Sequence, residues 1–142
     1  MEANKIIITG AANRIGAAIA KKLSGPNIEI IIHYNKSKIN AEKLQKELNK
    51  NQTKVWLVKG DLSKENDLKK ILKFAKSKLK YFDCLINNAS LFENDNLKNF
   101  TSQSWDQHLN INLKAPAYLI KEFAKNTKGK NNNIINIIDQ RV

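Results

Sequence analysis

Lys5-Ile6-Ile7-Ile8-Thr9-Gly10-Ala11-Ala12-Asn13-Arg14-Ile15-Gly16 is the stretch whose reading decides the fold. Its β-branched run predicts a buried strand over residues 5 to 9, and the glycine-punctuated turn leads straight into a helix over Arg14 to Ser24. Gly10 suits a tight turn that a Cβ would obstruct. Gly16 lets backbone and helix lie close together, and the N–H groups of the helix start then face a bound anion. The competing reading is an ordinary strand-to-helix turn, against which stands the context of apolar strand, turn and amphipathic helix. Arg14 occupies the place where dinucleotide-binding turns often carry a middle glycine. It forgoes the closest backbone approach and supplies a guanidinium fork suited to phosphate oxygens. Ile15, Ala18, Ile19 and Leu23 are expected on the buried face of the helix.

Outward from this stretch, strands and helices alternate. Gly25-Pro26 stops the first helix, Ile28 to His33 is a second strand, and the polar cluster Tyr34-Asn35-Lys36-Ser37 follows it. Ala41, Leu44 and Leu48 mark a helix, Lys54 to Val58 a third strand, and Gly60-Asp61-Leu62-Ser63 the loop out of it. Ser63 is expected to cap the next helix, whose core stripe is Leu68, Ile71, Leu72, Ala75 and Leu79. Phe82 to Ile86 reads as the fourth strand, opening into Asn87-Asn88-Ala89-Ser90. Ser102 or Ser104 is expected to cap a long helix reaching about Asn126, kinked or broken at Pro116, which lacks the N–H for the helical ladder. Asn133 to Ile138 is the fifth strand and delivers Asp139 at its carboxyl end. This alternation implies right-handed crossovers and an α/β, Rossmann-like, doubly wound parallel sheet. In such sheets ligands bind beyond the strand carboxyl ends, where each polar cluster falls.

Size and composition narrow the function classes. The 142 residues suffice for one domain, read as spanning 1 to 142, and no apolar run is long enough to span a bilayer. The start, Met1-Glu2-Ala3-Asn4, carries no export signal, and the single cysteine, Cys84, lies in an apolar run; both lead to a cytoplasmic expectation. A formal charge of +12 would attract nucleic acid or an anionic cofactor. The lysines are scattered over outward helix faces without interleaved aromatics, so no nucleic-acid partner is expected. His33 and His108 show no metal-ligand spacing and read as structural; no metal is expected.

Taken together, Thr9-Gly10-Ala11-Ala12-Asn13-Arg14-Ile15-Gly16, Asp61-Leu62, Asn87-Asn88-Ala89 and Asn112 resemble the short-chain dehydrogenase/reductase family in order and spacing. Arg14, His33-Tyr34-Asn35-Lys36-Ser37, Ser90 in place of Gly, and Asp139 in place of Ser are similar to pteridine reductases and to dihydrofolate or dihydromonapterin reductases. A free ribose 2′-hydroxyl usually meets an acidic side chain after the second strand. Here that place offers Tyr34, Asn35, Lys36 and Ser37, which favours NADPH over NADH, unless Lys36 is one more solvated lysine. The resemblance implies that Gly10, Arg14, Ile15, Gly16 and Leu62 also surround the cofactor, that Asp61 accepts from the adenine amino group, and that Asn88, Ala89 and Ser90 line the cofactor floor. The plainer readings are a helix N-cap neighbour for Asp61 and an Asx turn for the Asn-rich cluster. It implies further that Asn112 marks a helix irregularity and a bound water in a proton relay. Asp139 would hold or relay a proton, unless it only caps a turn, and Phe92 would stack on a pterin, unless it packs in a core or loop.

The family's proton donor, a Tyr followed four residues later by Lys, is expected about a dozen residues beyond Asp139. Only Gln140, Arg141 and Val142 follow that residue in this sequence. The chain is therefore expected to be the N-terminal cofactor half of a reductase, incomplete at the C-terminus and inactive by itself. It would be part of an NADPH-dependent oxidoreductase acting on a small molecule of the dihydropterin or dihydrofolate class, and homo-oligomeric at full length. The alternative is a noncatalytic nucleotide-binding module or an inactive remnant.

Overall fold

The computed structural model describes residues 4–129 and 131–138. Strands β1 (Asn4–Ile8), β2 (Ile28–Tyr34), β3 (Lys54–Lys59), β4 (Cys84–Asn87) and β5 (Asn133–Asn136) form one sheet in the order β3-β2-β1-β4-β5. Every pairing is parallel. The connections are helices α1 (Arg14–Leu23), α2 (Lys38–Lys50) and α3 (Glu65–Leu79), then α4 (Ser102–Leu109), which runs through a π-helical turn (Asn110–Lys114) into α5 (Ala115–Ala124).

The period-2 alternation of the strands divides the core between the two faces of the sheet. Ile6 and Ile8 of β1 and Ile30 and Ile32 of β2 pack with Ala20 of α1 and Ala41, Leu44 and Leu48 of α2. Ile7, Ile31 and Leu85 face the other way, onto Leu68, Ile71, Ala75 and Leu79 of α3 and Leu119 and Phe123 of α5. Burying each such aliphatic side chain contributes about 1.5–3 kcal/mol, which is why a continuous apolar strand belongs in a sheet covered on both sides. The strand order reverses between β1 and β4. Crossovers leaving these two strands go to opposite faces, and a crevice opens at their carboxyl ends.

Local expectations fail where a tertiary contact overrides them. The inward face of α1 is made of Gly16 and Ala20, with Ala17 and Ile19 half-buried, whereas Ile15, Ala18 and Leu23 are exposed. The helix leaves the glycine turn lying almost against it, so only small residues fit underneath. Ser63 does not cap α3. Its N–H and hydroxyl both bond to Asp61 Oδ1, while Asp67 Oδ2 accepts the Asp61 N–H from inside the first turn. The cap of α4 is Thr101 rather than Ser102 or Ser104: Thr101 Oγ1 accepts the Ser104 N–H and Ser104 Oγ accepts the Thr101 N–H, both at 3.1 Å.

Pro116 sits in the first turn of α5 without breaking the run. Having no N–H, it cannot serve the carbonyl four residues earlier, that of Asn112. The ladder widens just ahead of it, with the Ala115 N–H bonding to Asn110 O. β4 starts at Cys84 rather than Phe82, which makes an isolated bridge to Thr127. β5 ends at Asn136, and Ile134, Ile135, Ile137 and Ile138 are exposed along the outer strand. Among the described residues no helix is long and apolar enough to cross a membrane, and no group of His, Cys, Asp or Glu is arranged to hold a metal ion.

Candidate functional site

The floor of the crevice is built around Thr9, the residue directly after β1, which is 2% exposed. Its Oγ1 accepts the backbone N–H groups of Asn88 and Ala89, each at 3.0 Å. Asn88 returns the contact, donating its Nδ2 to the carbonyls of Thr9 (2.9 Å) and Gly10 (3.1 Å). Four bonds thus join the turn after β1 to the loop after β4.

Gly10 has φ +62°, and a Cβ there would come 2.9 Å from Ala89 Cα. At Gly16 a Cβ would lie 2.5 Å from Asn88 Nδ2 and 2.6 Å from Gly10 O. Both glycines are therefore required by contact, the first by conformation as well. Arg14, at the place where dinucleotide-binding turns often carry a middle glycine, has a left-handed backbone with φ 47°. That conformation costs a non-glycine residue roughly 1–2 kcal/mol. The side chain so placed lines the crevice.

His33 holds the turn from behind. The Gly10 N–H donates to its Nδ1 at 3.2 Å, so the ring proton sits on Nε2, which donates to Gly60 O at 3.0 Å. Burial pushes its pKa below the usual 6.5, outweighing the bond to Gly60 and the attraction of Asp61. The neutral ring belongs to the folded state, and a second ring proton would face the Gly10 N–H. His33 therefore contributes its full stability above about pH 6.5, the unfolded value, and loses it as pH falls from there towards the lowered folded value. Urea unfolding between about pH 5 and 7 should show this loss, at up to about 1.4 kcal/mol per pH unit, and His33→Gln should flatten it. Parallel curves for the two proteins would remove His33 as its source.

The crevice has a volume of about 760 Å³ and is lined by Gly10, Arg14, Ile15 and Gly16 from the first turn, Tyr34, Asn35, Lys36 and Ser37 from the end of β2, Leu62 after β3, and Asn88, Ala89, Ser90 and Phe92 after β4. Residues from four strand ends converge on it, as the sequence implies. Ala12, Asn13, His33, Leu91 and Ile111 also line it, and sequence reading did not single them out for the site. Asn13 carries a usable local signal, a capping residue type at a helix start, and His33 directly precedes the polar cluster at the end of β2. Asp61 does not line the crevice; its carboxylate braces the turn before α3 through Ser63 and lies 3.9 Å from Lys64 Nζ.

Asn112 lies in the π-helical turn, and its amide clamps Leu91: Nδ2 donates to Leu91 O and Oδ1 accepts the Leu91 N–H, both at 2.8 Å. His108 Nε2 accepts the Glu93 N–H at 3.0 Å. With its neighbours on either side tied down, Phe92 is held at the mouth of the crevice, 67% exposed, which leaves no role in a core. Cys84 is half-buried, and burial pushes its thiol pKa up, away from the reactive thiolate. Asp139 lies outside the described residues.

Comparison with known proteins places this geometry. The 3-oxoacyl-acyl-carrier-protein reductase FabG of Buchnera aphidicola subsp. Baizongia pistaciae is 32% identical over 132 residues, covering 92% of this chain and 53% of that protein. The short-chain dehydrogenase/reductase FrzI of a Cladobotryum species is 30% identical over 115 residues, covering 81% of this chain and 45% of that protein. Among solved structures, FolM alternative dihydrofolate reductase 1 from Brucella canis, complexed with NADP, superimposes with a TM-score of 0.87 at 31% identity, over 96% of this chain and 55% of that one. The chain thus spans about half the length of the relatives it matches. The family model for short chain dehydrogenases matches residues 4–140, from the β1 strand past β5, and with the glycine turn, the β4 clamp and the parallel sheet in place, the chain belongs to that family.

Proposed function

We propose that this chain is the cofactor-binding part of an NADPH-dependent oxidoreductase that transfers hydride to a small molecule of the dihydropterin or dihydrofolate class. The observation that carries the reading is the wall after β2, where Asn35, Lys36 and Ser37 line the crevice with Arg14 and, among the described residues, no carboxylate lines it. An acidic residue there would accept from a free ribose 2′-hydroxyl and repel a 2′-phosphate. A Lys, a guanidinium and a hydroxyl donate to one.

The glycine turn fits the group as well. The two glycines let the turn pack directly on Ala89 and Asn88 beneath the crevice, and no side chain caps the start of α1, so its N–H groups are left for an anion. When bound, NADPH supplies the hydride. The protein's part is to orient it: Thr9 and Asn88 fix the floor, and Ala89 and Ser90 set the wall on the β4 side. Pro116 has no N–H to give the Asn112 carbonyl, which supports a role for that oxygen in holding a water of a proton relay. Phe92, held at the mouth, offers its ring face to a flat heterocycle. The FolM likeness, at 31% identity, supports that substrate class. Trp105, Leu109 and Leu113 are exposed along the α4 connection and support self-association of the longer protein.

Calorimetric titration tests the cofactor reading. NADPH should bind more tightly than NADH, and Lys36→Ala should weaken NADPH by about 1–3 kcal/mol while leaving NADH nearly unchanged. Equal losses for both would remove the 2′-phosphate contact.

A further inference from the structure

Helices α1 and α2 begin with two residue types that cap well, Asn13 and Ser37, and neither side chain caps its own helix. They bond to each other instead. Asn13 Nδ2 donates to Ser37 Oγ at 2.8 Å, joining the turn after β1 to the turn after β2. A third side chain completes the arrangement, as Asn40 in the first turn of α2 donates its Nδ2 to Asn13 Oδ1.

The direction of these bonds has a chemical consequence. An amide whose oxygen accepts from Asn40 must present its NH2 group to Ser37, so Asn40 decides which way Asn13 faces. A hydroxyl that accepts from an amide keeps its own proton for another acceptor. Ser37 lines the crevice with Lys36 and Arg14, so that proton is available to an anionic oxygen within it, while Asn40 itself does not line the crevice.

We propose that Asn40 is a positioning residue for cofactor selection: through Asn13 it holds Ser37 as a hydroxyl donor to a phosphomonoester on the nucleotide ribose. This rests on the NADPH reading above, and adds that selection depends on a side chain outside the crevice. Without Asn40, Asn13 can turn its oxygen towards Ser37. The hydroxyl then donates to Asn13 and is lost to the phosphate.

The test is a calorimetric cycle on the chain with Asn40→Ala, Ser37→Ala and the double variant, titrated with 2′,5′-ADP and with 5′-AMP. The quantity read is the ratio of the two affinities, which an inactive fraction of protein does not change. Asn40→Ala should lower the preference for 2′,5′-ADP by about 3- to 10-fold, the scale of one hydrogen bond. In the Ser37→Ala background the same substitution should change it by less than about twofold, since contributions acting through one group are not additive. An unchanged ratio in Asn40→Ala, or an equal fall in both backgrounds, would overturn the role of Asn40 and leave the NADPH reading standing. No preference for 2′,5′-ADP in the unsubstituted chain would overturn both.

Discussion

Thr9→Val should destabilise the protein by about 2–4 kcal/mol, a large effect for an exchange of nearly identical shape. Valine fills the site but offers no acceptor, and the N–H groups of Asn88 and Ala89 both lose the oxygen that lies 3.0 Å from each. Leaving a buried donor unmade costs about 1–3 kcal/mol, and these two are only partly buried, so the sum falls in the lower half of the additive range. The clamp also shapes the crevice, because the Asn88 side chain reaches the Thr9 and Gly10 carbonyls only while the loop after β4 is drawn in. Nucleotide affinity should therefore fall with stability. Urea unfolding with Thr9→Ser alongside checks this: serine keeps the acceptor and should recover most of the loss. A loss below about 1 kcal/mol for valine would mean that both N–H groups find water.

Gly16→Ala should cost about 1–3 kcal/mol of stability and at least tenfold in nucleotide affinity. The added methyl would sit 2.5 Å from Asn88 Nδ2, 2.6 Å from Gly10 O and 2.8 Å from Ala11 Cα. Two of these three neighbours are backbone and cannot yield without opening the turn. The third is the amide that ties the turn to β4. Gly25→Ala is the matched comparison, since a Cβ there meets nothing within 4 Å and φ lies outside the left-handed region. It should be close to neutral. Equal melting temperatures and equal affinities for the two variants would show that the turn at Gly16 has room.

The amino-acid sequence by itself determined the five strands, their alternation with helices, the glycine turn and the polar clusters at the strand ends. These features are written locally: β-branched runs such as Ile28 to Ile32, breakers such as Gly25-Pro26, and apolar residues at helical spacing such as Leu68, Ile71, Ala75 and Leu79. Most of the crevice was legible for the same reason, because in a parallel sheet every strand's carboxyl end opens on one side. Only the tertiary structure decided the working parts inside that frame. Periodicity put Ile15 and Leu23 inward, yet the nearness of α1 to its own turn leaves space only for Gly16 and Ala20. Nothing local marks Thr9 as the acceptor for Asn88, 79 residues away, or His33 as the acceptor for Gly10, 23 residues away. Asn13 and Ser37 look like helix caps until the fold brings them 2.8 Å apart. Pro116 announced an irregular helix, but the form it took, a π-helical turn that leaves the Asn112 amide on Leu91, depends on where the loop after β4 packs. A side-chain hydrogen bond holds only over about 3 Å, so its partner is chosen by the packing of the whole sheet and not by neighbours in the chain.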